Sequence, residues 1–249
     1  MTTKITSPHN PQLKSVRRLQ SKRERERSGR FAAEGEDLIA AAERAGWPVV
    51  EGYRAAGSGL GGASFIDVDQ TVLASVSTLG SGTRAIGVYE QRWAPVPSGP
   101  LCVYLHGVGD PGNVGTVLRS AHAFGASGVA LGPGCADPYG PKAVRASMGA
   151  IFAVQLARVE DVGELPGERI ALVAHGGEPL RGSAGPLTLL VGAEREGLPA
   201  DVVKACERVA HIPIAGESLN AAMAATVALY EMTMRSRPPG RDHDTVTTR

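Results

Sequence analysis

The chain has 249 residues, enough for one large domain or two small ones, and its 43% hydrophobic residues provide for a sizeable core. Aromatic residues make up only 4%, which argues against a nucleic-acid-binding surface built from several stacking rings. The net charge of +1 conceals an uneven distribution, because residues 1–30 contain nine Lys or Arg and two Glu and the remainder of the chain is acidic. Such a basic segment attracts polyanions, although a solvated charged helix explains it equally well.

The sequence also lacks the patterns of metal, disulfide and membrane proteins. Cys102, Cys135 and Cys206 are widely spaced, and the six His residues show no ligand spacing, so we expect no metal site and no disulfide framework. The first residues lack the apolar stretch of a signal peptide, and the longest apolar run, 221–230, is too short to span a bilayer. We therefore expect a soluble, cytoplasmic protein that binds neither metal nor membrane.

Residues 1–90 are predicted to form a small α/β domain. The stretch 11–27 is permissive for helix and strongly charged, and 36–44 is an amphipathic helix with acidic residues in its first turn. Short apolar runs separated by turn residues predict strands at 49–53, 64–68 and 85–89, with a Gly-rich loop at 57–62.

Residues 91–100 contain three prolines and are predicted to form an extended linker. Beyond it, apolar strands alternate with helices through 101–237, which is typical of a parallel sheet covered on both faces. The last residues, 238–249, are rich in charge and turn residues and are predicted to form a flexible tail. Strands are expected at 101–105, 128–131, 170–174, 187–191 and 209–214, and helices at 113–124, 141–147 and 218–234.

The segment Gly107–Gly112 matches the G-x-G-x-x-G fingerprint of dinucleotide-binding proteins, and it lies between a predicted strand and a predicted helix. That fingerprint requires an acidic residue about 20 positions later to hold the ribose hydroxyls. The corresponding stretch, 129–134, contains no carboxylate, and Pro111 stands where a glycine loop normally bends. A nucleotide-dependent oxidoreductase is therefore disfavoured, and only measured nicotinamide binding would restore it.

Three segments stand out together, in this order: Asp110–Arg119, Leu190–Pro199 and Ile212–Asn220. Their order, spacing and strand-then-loop contexts resemble the SpoU (TrmH-like) family of the SPOUT methyltransferases, and Pro141–Gly149 resembles a fourth segment of that family. The resemblance extends over residues 101–232. The sequence departs from the family at 215–217, where the turn before Ser-Leu-Asn is shorter than is common.

The N-terminal region resembles the substrate-binding domain that is often attached to this family. The match rests on Ile5–Ser7, Asn10-Pro11, Lys14 and Phe31–Gly35, and it is shorter than the C-terminal one. It makes the basic segment a stronger candidate for RNA contact than charge alone did.

The resemblance implies an α/β domain with a C-terminal trefoil knot, a homodimer with the active site near its interface, and S-adenosylmethionine-dependent methylation of RNA ribose 2′-hydroxyls. Ribosomal RNA is the favoured substrate because of the attached N-terminal domain, and transfer RNA is the main alternative. A relative that binds RNA without catalysis is the second alternative. The presence of Asn113, Arg119, Glu194, Ser218 and Asn220 argues against it.

The reaction requires alignment of a hydroxyl with the activated methyl group and stabilisation of the charge that develops on it. The resemblance assigns these tasks to Arg119, Asn113, Glu194, Ser218 and Asn220. Free guanidinium hardly deprotonates, so Arg119 is expected to hold RNA phosphate and polarise the hydroxyl. Asn113 and Ser218 each have a simpler alternative as helix caps. The predicted cofactor-binding residues are Gly192, Glu194, Gly197, Ile212, Ile214 and Leu219, and the predicted RNA-binding residues are Lys14, Arg17, Arg18, Lys22, Arg23, Lys142 and Arg145.

Overall fold

The structure is a computed structural model that describes residues 4–78, 82–216 and 218–234, so the predicted tail lies outside the described residues. The described residues form two sheets. The first contains β1 (Arg30–Glu34), β2 (Glu51–Ala55), β3 (Phe65–Val68) and β4 (Ala85–Glu90). The second contains β5 (Leu101–Leu105), β6 (Gly128–Leu131), β7 (Gln155–Arg158), β8 (Glu168–Val173), β9 (Glu178–Pro179), β10 (Leu187–Val191) and β11 (Arg208–His211). The helices are α1 (Pro11–Arg18), α2 (Lys22–Ser28), α3 (Glu36–Arg44), α4 (Gln70–Ala74), α5 (Pro111–Ala123), α6 (Pro141–Ala146), α7 (Ala200–Lys204) and α8 (Ala221–Met234).

The first sheet has the strand order β1-β4-β2-β3, in which β4 runs antiparallel to both of its neighbours. Its helices α1 and α4 pack on it through a separate core that includes Leu13, Val16 and Leu73. The charged stretch 11–27 forms two helices, because the side chain of Ser21 accepts a hydrogen bond from the backbone N–H of Glu24 and starts α2 anew.

The second sheet has the order β7-β6-β5-β10-β8-β11-β9, and all of its strands are parallel. Every residue of β5, β6 and β10 is buried, as their continuous apolar runs predict. Alternate side chains of β10 point to opposite faces: Leu189 contributes to the core shared with α5 and α8, and Leu190 to the core shared with α7. The predicted parallel sheet covered on both faces is thus confirmed.

Several predicted boundaries shift for identifiable reasons. The strand predicted to reach 214 ends at His211, since Pro213 has no N–H to donate to a sheet. The last helix begins at Ala221 rather than Ser218, because the side chain of Asn220 accepts from the backbone N–H groups of residues 222 and 223 and caps it. The edge strand β7 was not predicted, and its two terminal residues are exposed.

The two sheets are held together by contacts that the sequence did not predict. The side chain of Arg25, counted among the cations of the basic segment, is buried and forms an ion pair with Asp137 at 2.8 Å. Around Phe31, aromatic rings from both parts pack in one cluster, including Tyr139 with ring centroids 4.7 Å apart. The segment 91–100 lies against β7, where the backbone N–H of Ala94 donates to the carbonyl of residue 156 at 2.7 Å. The N-terminal part is therefore docked on the second sheet.

Candidate active site

The three sequence motifs meet at the carboxyl-terminal edge of the parallel sheet. The first motif follows β5 and begins α5, the second follows β10, and the third connects β11 to α8. Since β10 lies beside β5 in the sheet, and α8 packs on both β10 and α5, segments about 80 and 107 residues apart in sequence come into contact. In open α/β sheets, ligands bind in the crevice outside this edge.

Asn113 lies at the centre of a hydrogen-bonded chain that joins the motifs. Its amide nitrogen donates to the carboxylate of Glu194, and its amide oxygen accepts from Nδ2 of Asn220 at 3.1 Å. Its backbone N–H donates to Oδ1 of Asp110 at 3.0 Å, so the N-cap of α5 is Asp110 and not Asn113. The side chain of Asn113 is thereby held by one residue from each of the other two motifs.

A cleft of about 370 Å³ opens beside these hydrogen-bonded side chains. Its volume is within the range of small-molecule sites. Its lining comes from the ends of β8, β10 and β11 and the start of α8. All six residues predicted to bind the cofactor line it, together with Ser218: Gly192, Glu194, Gly197, Ile212, Ile214 and Leu219. The cleft also includes Leu172 of β8 and, directly after this strand, Ala174 and His175; these residues carry no motif and were missed for that reason.

Glycines shape the loop that forms one wall of this cleft. A Cβ at Gly192 would lie 2.1 Å from the backbone carbon of Gly197, which is too close for any side chain. Gly197 itself has φ +68°, in the left-handed region that favours glycine, and its N–H donates to the carbonyl of Ala193 at 3.0 Å. The loop 192–197 is therefore a tight turn whose backbone faces the cleft.

Arg119 lies apart from this cluster. It is exposed on α5, six residues beyond Asn113 and about 9 Å further along the helix axis. Within the part of the chain that the structure describes, it forms neither a hydrogen bond nor an ion pair. The structure thus brings Asn113, Glu194 and Asn220 together and leaves Arg119 open to an external ligand.

Two models of known protein families match this chain. Residues 100–230 match the model of the SpoU rRNA Methylase family, and residues 10–86 match that of the MRM3-like substrate binding domain. The chain belongs to the SpoU rRNA methylase family.

The relatives and solved structures that this SpoU family chain resembles include proteins named as rRNA methyltransferases. It is 40% identical over 147 residues to the 23S rRNA (uridine(2479)-2′-O)-methyltransferase of Streptomyces viridochromogenes, a match over 53% of this chain and about half (51%) of that protein. It is 26% identical to the 23S rRNA (guanosine(2553)-2′-O)-methyltransferase of Bacillus subtilis, over 92% of this chain and 98% of that one. The AdoMet-bound rRNA methyltransferase of Sinorhizobium meliloti superposes with a TM-score of 0.84 at 31% identity, covering 95% and 99% of the two chains.

The Lys and Arg side chains predicted to bind RNA have different surroundings in the structure. Arg17 is half-buried and donates to the carbonyl of Pro8 at 2.7 Å and to Oγ of Ser75 at 2.9 Å. Its guanidinium is therefore hydrogen-bonded within the protein. The ammonium of Lys142 lies 2.7 Å from the carboxylate of Asp110 and holds the pKa of that carboxyl below its usual value, with help from the N–H of Asn113. The remaining side chains are exposed: Lys14, Arg18, Lys22, Arg23 and Arg145.

Residues 4–78, 82–216 and 218–234 contain no group of three or more His, Cys, Asp or Glu side chains that could hold a metal ion. In the same ranges, no helix has both the length and the apolar character needed to cross a bilayer.

Proposed function

We propose that this chain transfers a methyl group from S-adenosylmethionine to a ribose 2′-hydroxyl of RNA. The position of Glu194 carries the proposal. Its carboxylate accepts from the amide of Asn113, and the same side chain lines the cleft formed by the loop 192–197. A methyl donor in that cleft would thus lie beside a polar group that can bind a ribose hydroxyl.

The lining of the cleft fits S-adenosylmethionine. The apolar side chains of Ile212, Ile214 and Leu219 suit an adenine ring, and the loop 192–197 offers backbone groups for the polar part of the ligand. When bound, the cofactor supplies a methyl group already activated by the sulfonium. Because the donor is activated, the protein has only to align the hydroxyl and to stabilise its developing charge.

The residues at the site divide this work. Asn113 binds the target ribose, while Glu194 and Asn220 hold its amide in one orientation. Ser218 contributes a hydroxyl to the wall of the cleft. Arg119 holds an RNA phosphate and polarises the 2′-hydroxyl, because a guanidinium is a donor rather than a base at neutral pH.

Ribosomal RNA is the proposed substrate, and the cytoplasm the proposed compartment. We assign residues 1–90 to an RNA-binding domain, 91–100 to the connection and 101–237 to the catalytic domain. The exposed cations of α1 and α2 support the first assignment, since contacts to phosphate supply most of the affinity for RNA. Arg145, exposed on α6 of the catalytic domain, lines a small pocket with Val16 and Leu19 and so lies beside α1.

Incubation with methyl-labelled cofactor and purified RNA fractions tests the function. We expect label in ribosomal RNA, at a ribose resistant to alkaline cleavage, and no label with the Asn113→Ala variant. Label in transfer RNA alone would show that transfer RNA, and not ribosomal RNA, is the substrate. Bound cofactor without ribose methylation in any RNA fraction would rule the activity out.

We also propose the trefoil knot that the resemblance implies. The order of strands supports it: β10 lies between β5 and β8, the chain then crosses to form β11 beyond β8, and α8 returns to pack on α5 and β10. The last helix therefore packs on elements that precede it in sequence.

A homodimer is proposed from the outer face of α8. Met223, Val227 and Tyr230 are 61%, 41% and 55% exposed and follow one another at helical spacing, so they form an apolar face. We expect Val227→Glu to convert a dimer to a monomer in sedimentation velocity, because it would place a charge in the interface. The control Arg44→Glu, exposed on α3, makes a larger change of charge, by two units, and should leave the dimer intact. A wild-type chain that sediments as a monomer would contradict the proposal.

Replacing Gly192 by alanine is expected to weaken S-adenosylmethionine binding at least about tenfold, since the new methyl group would push the loop 192–197 out of place. Titration calorimetry measures the affinity. The matched control is Gly216→Ala, where a Cβ meets no atom within 4 Å and little change is expected. Equal affinities of the Gly192→Ala variant and the wild type would show that this loop does not bind the cofactor.

A further inference from the structure

Helices α5 and α6 pack backbone to backbone at Gly115. A Cβ at Gly115 would lie 2.3 Å from the carbonyl oxygen of Ala143, so only glycine permits this approach. At the N-terminal ends of the same two helices, Nζ of Lys142 lies 2.7 Å from Oδ2 of Asp110. The ion pair thus connects two helices that are already packed backbone to backbone.

The carboxylate of Asp110 uses its two oxygens for different partners. Oδ1 accepts from the backbone N–H of Asn113 and caps α5, while Oδ2 accepts from Nζ of Lys142. Gly112 leaves the space for this arrangement, because a Cβ there would lie 2.7 Å from Oδ1 of Asp110 and 3.4 Å from Cε of Lys142. The first turn of α5 is therefore shaped around the pair.

We propose that Asp110 and Lys142 form a positioning pair that sets the orientation of Asn113 toward the ribose. This proposal rests on the proposed function. Lys142 acts through Asp110 and the first turn of α5, rather than by binding an RNA phosphate. Its effect reaches the reaction through the hydrogen-bonded chain of Asn113, Glu194 and Asn220.

The expected effect is moderate, because the side chains of Lys142 and Asp110 are 66% and 46% exposed and solvent screens their attraction. Catalysis is nevertheless sensitive to small displacements of a group that aligns the substrate. A loss of about three- to tenfold in kcat is therefore expected from removing either charge, without loss of fold.

The test compares Lys142→Met, Asp110→Asn and the double variant. Asn retains the capping oxygen at position 110, so this substitution removes only the charge. We expect kcat to fall in each single variant, the KM for RNA to stay unchanged, and the double variant to be no slower than the slower single one, because both act on one interaction. Lys142→Arg should restore most of the turnover, and Lys204→Met, an exposed change on α7, should have no effect.

A role in RNA binding predicts a different result. Lys142→Met would then raise the KM for RNA, reduce the dependence of binding on salt by about one phosphate contact, and add to the effect of Asp110→Asn. Those results would overturn the positioning pair while leaving the proposed function intact.

Amide hydrogen exchange tests the pair independently of turnover. We expect faster exchange at residues 113–116 in both single variants, whether or not the wild-type chain methylates RNA. Unchanged exchange at residues 113–116 would contradict the proposal that Asp110 and Lys142 position Asn113. Absence of wild-type methylation, with the expected exchange, would overturn only the proposed function.

Discussion

Replacing Arg119 by alanine is expected to lower kcat for RNA methylation by about 10²- to 10³-fold, the usual cost of removing a donor that stabilises developing negative charge. Arg119 is exposed on α5 and is not part of the cleft lining, so the affinity for S-adenosylmethionine and the thermal stability should not change. Single-turnover rates with saturating cofactor measure the effect on chemistry, and calorimetry measures cofactor binding.

Two matched variants make this experiment specific. Arg119→Lys keeps the charge but loses the planar guanidinium, so only partial activity is expected. Arg145→Ala removes another exposed arginine, and it should raise the KM for RNA and reduce the salt dependence of binding while leaving kcat unchanged. Full turnover of Arg119→Ala would remove this residue from the mechanism. Loss of turnover with an undiminished biological effect would favour a protein that acts by binding RNA.

Replacing Arg25 by methionine is expected to lower the free energy of unfolding by about 3–5 kcal/mol, the usual cost of leaving one charge of a buried pair without its partner. The side chains of Arg25 and Asp137 are only 5% and 10% exposed. The guanidinium also donates to the carbonyls of Leu19 and Gln20 at 2.7 and 2.9 Å, and both would lose this donor. Urea unfolding followed by circular dichroism measures the change.

The partner substitution tests the cause of that loss. Combining Arg25→Met with Asp137→Asn removes the unpaired carboxylate charge and keeps an oxygen that accepts from the N–H of Tyr139. Part of the lost free energy of unfolding should therefore return. Arg27→Met serves as the control, because Arg27 is exposed two residues further along the same helix and its pair with Glu24 is solvated. Equal unfolding midpoints for Arg25→Met and Arg27→Met would contradict the structural role of the buried pair.

Both expectations concern arginines. The sequence motif had already set Arg119 apart, but only the structure shows that Arg25 is buried and paired. Arg25 belongs to the basic segment that suggested contact with a polyanion, yet it is buried against a carboxylate 112 residues away along the chain. Arg119 stands in a helix that also packs on α8, yet its side chain faces outward. The order of charges along a chain does not reveal which of them finds a distant partner.

The same reasoning applies to the site. The sequence motifs predicted which segments carry the chemistry, and the cleft brings their residues from Gly192 to Leu219 together. The motifs did not reveal that Asp110 caps α5, nor that Lys142 is paired with it. Capping and ion pairing depend on the approach of two helices, and the glycines that permit the approach are recognisable only once both backbones are in place.

The sequence by itself determined the parallel sheet, because continuous apolar runs form buried strands. It also determined the motif segments, because the residues at which a strand ends and a loop begins follow from local residue chemistry. Tertiary structure alone decided three things: the orientation of Asn113 between Glu194 and Asn220, the packing of 91–100 against β7, and the docking of the N-terminal part through Arg25. Each of them is a contact between segments far apart in sequence, whose free energy depends on burial and on the distance between partners rather than on local pattern.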